Sequence, residues 1–105
     1  MELAITFRGL NRMQSGTATR AFERQSARLE RLLHDHPTAL RAVVDGSQSS
    51  YRVSLSMSTR GANFTAEDGG HDLSAAIGAA CERLRVQLLR RRERRESQRH
   101  RAVSA

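Results

Sequence analysis

The spacing of apolar residues along this chain changes from every second position to every third or fourth, and back again, and that alternation constrains the fold more than any other feature. In "ELAITFRG", Leu3, Ile5 and Phe7 alternate with Ala4, Thr6 and Arg8, the period of a strand with one face buried. In "SGTATRAFERQSARLERLLHDHP", Ala18, Phe22, Leu29 and Leu32 or Leu33 fall on one side at helical spacing. This predicts a helix over roughly 17–34, with Ser15 or Thr17 as its cap and Pro37 beyond its end. Alternation then returns in "ALRAVVDG" (Leu40, Ala42, Val44), "YRVSLSMST" (Tyr51, Val53, Leu55, Met57) and "ANFTAE" (Ala62, Phe64, Ala66). The turn-forming stretches "DGSQSS" and "RG" separate these three, which predicts an antiparallel meander. After a loop, "EDGGHD", Asp72 is placed to cap a second helix with Leu73, Ile77, Ala80, Leu84 and Leu88 as its apolar stripe. Gly78 inside that helix costs up to ~1 kcal/mol relative to alanine.

The predicted order is β-α-β-β-β-α. Each helix has one apolar stripe and each strand one apolar face, so the economical packing is an α+β fold: a four-stranded sheet with two helices on one face. The other face would carry Thr6, Arg8, Arg41, Arg52, Ser54, Ser56, Ser58, Asn63 and Thr65, a polar surface without aromatics. With 105 residues there is room for one domain and one core. The composition after Leu89 cannot support a core, which predicts a folded unit over 1–92 and a basic helix extension and tail over 93–105.

Charge supplies the functional lead. The chain carries 18 basic residues against 11 acidic ones, a formal charge of +7, and every basic residue is arginine. Genomic base composition is the bland reading of that exclusivity, but its physical consequence is the same: guanidinium groups pair bidentately with phosphate and stack on bases. On the first helix Arg20, Arg24, Arg28 and Arg31 follow at spacings of four, four and three, beside the apolar face, with Glu23 and Glu30 on the opposite flank. On the second, Arg83, Arg90 and Arg94 form a line about a quarter-turn from the core stripe, with Gln87 between. Positions 91 and 95 continue the core stripe itself but are arginine, so the helix is expected to leave the sheet there. Solvated helices usually interleave opposite charges at four-residue spacing. Segregation instead builds a field suited to a polyanion, and nucleic acid is the leading partner. The open sheet face lacks the aromatic platform used by single-strand readers, so backbone recognition of folded RNA fits best.

Other signals are weak. Cys81 is the sole cysteine, which rules out an intramolecular disulfide and predicts a small semi-buried hydrophobe rather than a nucleophile. His34 and His36 flank Asp35, but alternate helical residues diverge and no third ligand accompanies them, so no metal is expected. The glycines of "DGGHD" have neither Walker nor dinucleotide spacing. No apolar run reaches signal-peptide or transmembrane length, and a bacterial-type cytoplasmic protein without membrane contact is the expectation. Nothing suggests an enzyme, a cofactor or a small-molecule substrate.

The opening "ITFRGLN", the "ARLERL" of the first helix and "HDLSAAIGAACERLRVQLLRRR" together resemble the bacterial ribosome hibernation factors, the short hibernation-promoting factor and the ribosome-associated translation inhibitor. The similarity covers about residues 3–92. It implies a β-α-β-β-β-α fold shaped like a double-stranded RNA-binding domain. It also implies binding to the small ribosomal subunit in the decoding channel, covering the sites for messenger and transfer RNA during stress or stationary phase. The family's basic helix positions would fall on Arg28, Arg31, Arg83 and Arg90, with Arg20 and Arg24 on the same stripe and Arg91 and Arg94 extending the surface. A monomer is expected. Departures are Val86 and Leu89, where basic or polar residues are usual, Ser74 for a common tyrosine, and Ser26 for a leucine. Val86 and Leu89 lie three apart and off the core stripe, which predicts an exposed apolar pair and a candidate protein contact. Two other readings stay open: a general binder of structured RNA, and a protein-interaction module docking an acidic partner.

Overall fold

A computed structural model describes residues 2–33, 39–59 and 62–103, with residue 33 and residues 95–103 described through their backbone only. The elements follow in the expected order: β1 Glu2–Arg8, α1 Arg12–Leu33, β2 Ala39–Ser47, β3 Ser50–Thr59, β4 Ala62–Gly70 and α2 Leu73–Val103. They form one sheet in the order β1-β2-β3-β4. β1 and β2 run parallel, while β2–β3 and β3–β4 are antiparallel. Parallel neighbours cannot be joined by a tight turn, so α1 serves as the crossover between β1 and β2.

Register aligns the alternating apolar residues. Leu40, Ala42 and Val44 stand opposite Met57, Leu55 and Val53, and the last three of these opposite Phe64, Ala66 and Asp68. Ala18, Ala21, Phe22 and Leu29 of α1 and Leu73, Ala76, Ile77, Ala80, Cys81, Leu84 and Leu88 of α2 are buried in the same cluster, which places both helices on that face. A fully buried Phe, Leu or Ile contributes about 1.5–3 kcal/mol, so this shared cluster dominates the stability. Leu3, Ile5 and Phe7 pack against it from the edge strand β1 and are only partly buried. The opposite face leaves Thr6, Arg8, Arg41, Arg52, Ser56, Ser58, Asn63 and Thr65 exposed and Ser54 half-buried.

Three expectations need correction. Helix α1 begins at Arg12, five residues before the predicted start, and neither Ser15 nor Thr17 caps it. Asn11 does: its Oδ1 accepts from the Gln14 N–H at 2.8 Å, and Gln14 Oε1 accepts from the Asn11 N–H at 2.9 Å. This is a reciprocal capping box, and "NRMQ" carried its spacing. The amide of Gln14 also donates to the Tyr51 hydroxyl at 2.7 Å, tying the start of α1 to β3. Gly9, with φ +68°, permits the sharp turn from β1 into this cap, where it lies against the Gly46 carbonyl.

The second correction is that β4 continues through Asp68, Gly69 and Gly70, which sequence patterning assigns to a loop. A Cβ on Gly69 would sit 2.8 Å from the Tyr51 carbonyl, so glycine here serves close strand pairing. Third, the "DGSQSS" turn shrinks to Gln48 and Ser49, since Ser47 and Ser50 are already paired. Gln48 takes the positive φ of 47° that a two-residue hairpin loop requires. The predicted "RG" turn and the His34–Asp35–His36 group lie outside the described residues.

Asn11→Ala is expected to remove ~1 kcal/mol of stability and to lower the midpoint of thermal unfolding by about 4–8 °C. Gln14→Ala, which loses the box and the Tyr51 bond together, should lower it further. Circular dichroism melts of the two variants check the order.

Candidate nucleic-acid interface

On α1 the spacing of Arg20, Arg24, Arg28 and Arg31 becomes a real stripe, since four-residue steps advance only ~40° around a helix. All four side chains are exposed, and none pairs with a carboxylate among the described residues. Glu23 and Glu30 are exposed as well, one or two residues away in sequence yet on the far flank. Four guanidinium groups thus lie side by side in solvent with no partner among the described residues.

Helix α2 treats its arginines differently. Arg83, Gln87 and Arg91, four residues apart, each reach strand β4. The Arg83 Nε donates to Asp68 Oδ2 at 2.9 Å. Gln87 Nε2 donates to the Thr65 carbonyl at 2.7 Å. Arg91 lies over the Phe64 ring, 5.5 Å from its centroid, and is half-buried. A cation on an aromatic face is worth roughly 0.5–1 kcal/mol where solvent is near. The expectation that α2 leaves the sheet at position 91 is therefore wrong: the core stripe ends on a guanidinium stacked against the last aromatic residue of the sheet. Arg95 is described through its backbone alone.

Arg90 and Arg94 stand beside this column, exposed and without a carboxylate partner among the described residues. The line Arg83–Arg90–Arg94 thus divides into one arginine committed to an ion pair and two that are not. Nor do the two helices aim their stripes at each other. α1 packs against β1 and α2, whereas α2 packs on β3 and β4. Because Gln87 reaches a carbonyl at the margin of β4, the flank bearing Arg83 and Arg90 overlooks that edge strand. The positive surface is two separate ridges.

Asp68 is the residue that patterning missed. Alternation with Phe64 and Ala66 puts it on the helix-covered face of β4, where an unpaired carboxylate would be costly. The Gly69 N–H, bonded at 2.8 Å, and then the Arg83 guanidinium hold its carboxyl below the usual aspartate range. On the open face Arg52 Nη2 pairs with Glu67 Oε2 at 2.8 Å, and the Ser54 hydroxyl donates to the other carboxylate oxygen at 3.2 Å. This lowers Glu67 and removes Arg52 as a free cation.

Val86 and Leu89 are not the exposed pair that patterning predicts, since both are half-buried. Val86 lines a groove of about 600 Å³ with Thr65, Ala66, Glu67, Arg83, Gln87 and Arg90. Cys81 is buried at 1% exposure and its thiol is pushed up to about 12 by desolvation, so it packs as a small apolar group. Among the described residues no three His, Cys, Asp or Glu side chains gather as a metal site, and no helix is long and apolar enough to cross a membrane.

The chain matches, over residues 5–96, the family model described as Sigma 54 modulation protein / S30EA ribosomal protein. Among solved structures, it is similar to the N-terminal domain of Thermus thermophilus Protein Y, at TM-score 0.76 and 25% identity, with 86% of this chain and 98% of that one covered. A ribosomal subunit interface protein from Coxiella burnetii shares the fold at TM-score 0.76 and 14% identity, covering 89% of this chain and 99% of its own. No curated protein matches in sequence.

Asp68 has a depressed folded-state pKa, so its pairing stabilises the fold at pH above the ordinary aspartate range, and that contribution is lost as pH falls through the depressed value. Arg83→Ala is expected to raise the Asp68 midpoint without restoring it fully, because the Gly69 N–H remains. Carboxyl-carbon NMR titration of the two proteins reads the difference.

Proposed function

The chain belongs to the Sigma 54 modulation protein / S30EA ribosomal protein family, and from that premise we propose that it binds the ribosome and inhibits translation by occupying the small subunit. The observation that carries this reading is the α1 stripe: Arg20, Arg24, Arg28 and Arg31, all exposed, with no carboxylate partner among the described residues. Arg90 and Arg94 supply a second ridge. Phosphate backbones of folded ribosomal RNA are the partner such ridges fit. A polyanion whose strands pass on both sides of a small body can be held by two separate rows of cations.

The mechanism is steric. A rigid α+β body seated in the decoding channel would exclude messenger and transfer RNA, as the resemblance to hibernation factors implies. The name of one similar structure, the ribosomal subunit interface protein of Coxiella burnetii, supports the subunit interface as the place. The open sheet face presents small hydroxyl side chains and no aromatic ring, so recognition rests on charge and shape instead of base stacking. No bond is made or broken in this reading.

Co-sedimentation with isolated small subunits tests it. The protein is expected to travel with them at low salt and to dissociate as salt rises; failure at low salt overturns the proposal. With about six phosphate contacts, affinity should fall roughly 10³-fold between 50 and 200 mM salt. Replacing Arg20, Arg24, Arg28 and Arg31 together by glutamate is expected to abolish binding while leaving the circular dichroism spectrum intact. Arg90→Glu with Arg94→Glu should weaken it and flatten the salt dependence. Comparable affinity for an unrelated RNA duplex would show a general structured-RNA binder.

A further inference from the structure

Two bonds establish which peptide groups of β4 point away from the sheet. The Thr65 carbonyl accepts from Gln87 at the sheet margin, and the Gly69 N–H is taken by its neighbour Asp68 instead of by β3. N–H and C=O of one strand residue point the same way and alternate along the chain. Asn63, Thr65, Glu67 and Gly69 therefore present their peptide groups outwards, while Phe64, Ala66 and Asp68 bond to β3. β4 is the last strand of the sheet among the described residues. Gln87 and Asp68 satisfy one group each, at Thr65 and Gly69. Between them both peptide groups of Glu67 are without a partner among the described residues, as is the N–H of Thr65.

Exposed edges of this kind invite a further strand, and proteins usually block them with proline, lysine or a bulge. β4 contains none of the three between Ala62 and Asp68, and its one inward-pointing charge, Asp68, lies at the far end of the strand and is paired with Arg83. Instead the α2 flank stands beside it, and the groove between them has Ala66 and Val86 as apolar lining with Arg83 and Arg90 above. We infer that this groove is a docking site for an extended acidic peptide segment of another protein, which adds to β4 as a fifth strand.

Charge selects the occupant. The two carboxylates in the groove are already neutralised, Glu67 by Arg52 at 2.8 Å and Glu82 by Arg85 at 3.0 Å. Arg90 and Arg94 carry no such partner among the described residues. The uncompensated charge beside the edge is therefore positive, which favours an acidic strand. It opposes a second copy, because pairing β4 with β4 would bring two arginine-bearing α2 flanks together on chains of net charge +7. RNA is the poorer fit, since the outward Glu67 carbonyl needs a donor and a phosphodiester, fully ionised at neutral pH, offers only acceptors, whereas a strand supplies both donor and acceptor. Val86, half-buried where the sequence pattern predicts exposure, gains a role as the apolar seat for one partner side chain. The inference shares Arg90 and Arg94 with the second ridge of the RNA reading but not the α1 stripe that carries that reading, so peptide binding and α1-dependent RNA binding can fail separately.

The probe is an eight-residue peptide alternating valine and glutamate, titrated into the ¹⁵N-labelled full chain, with a valine–lysine peptide and an RNA duplex as comparisons. Saturable binding of the valine–glutamate peptide is expected, with shifts and exchange protection concentrated at the amides of Thr65 and Glu67. The valine–lysine peptide should bind at least tenfold more weakly. Glu67→Pro removes one outward N–H without touching a ladder bond, and Val86→Glu places an acid in the groove; each should weaken the peptide at least tenfold while the α1 stripe still binds RNA. The inference is overturned if the Thr65 and Glu67 amides do not respond, if the lysine peptide binds equally, or if the RNA duplex protects those amides and displaces the peptide.

Discussion

The attachment of α2 to β4 is the interaction on which the rest of this molecule depends. Three side chains four residues apart, Arg83, Gln87 and Arg91, meet Asp68, Thr65 and Phe64 in turn. Alongside them Leu84 and Leu88 close the apolar core. An apolar stripe alone defines which side of a helix is buried but tolerates sliding along its axis. An ion pair, an amide-to-carbonyl bond and a cation over a ring, each with its own geometry, do not. Together they set the axial position of α2, and with it the places of Arg90 and Arg94 and the width of the groove beside β4.

The same column explains why a fold this small tolerates charge at the rim of its core. Asp68 sits on the helix side of the sheet, where a solitary carboxylate would favour opening the edge strand. The Gly69 N–H and the Arg83 guanidinium satisfy it, and Arg83 is held off its own apolar stripe in doing so. Arg91 gives up part of its hydration for the face of Phe64, the residue that closes the apolar row opposite Met57. Arginines that look alike in sequence have thus separated into those that hold the fold and those left exposed to solvent.

Beyond Leu88, the last buried residue of α2 among those whose side chains are described, the helix runs on to Val103, about 22 Å further at 1.5 Å per residue. An isolated helix of this length is marginal in water. Here its first half is docked, so the nucleation cost is already met by packing and elongation proceeds from a formed turn. This gives the body a helical arm, continuous with the ridge at Arg90 and Arg94.

Much of this was legible in the sequence. Period-two alternation at Leu3–Phe7, Leu40–Val44 and Tyr51–Met57 and helical spacing at Phe22, Leu29, Ile77 and Leu84 determine the element order, the one-sided sheet and most of the core, because burial of one face imposes a period that a single sequence displays. The arginine segregation on α1 was equally plain, since it depends only on helical angle. The α1 boundary at Asn11 lay in a capping signal weaker to the eye than the apolar pattern. What tertiary structure alone decided is which charges remain available. Whether Arg83 or Arg90 faces a carboxylate depends on β4 running through Asp68 and on the register of α2 against it. Those are contacts between residues far apart in the chain, and no local spacing encodes them.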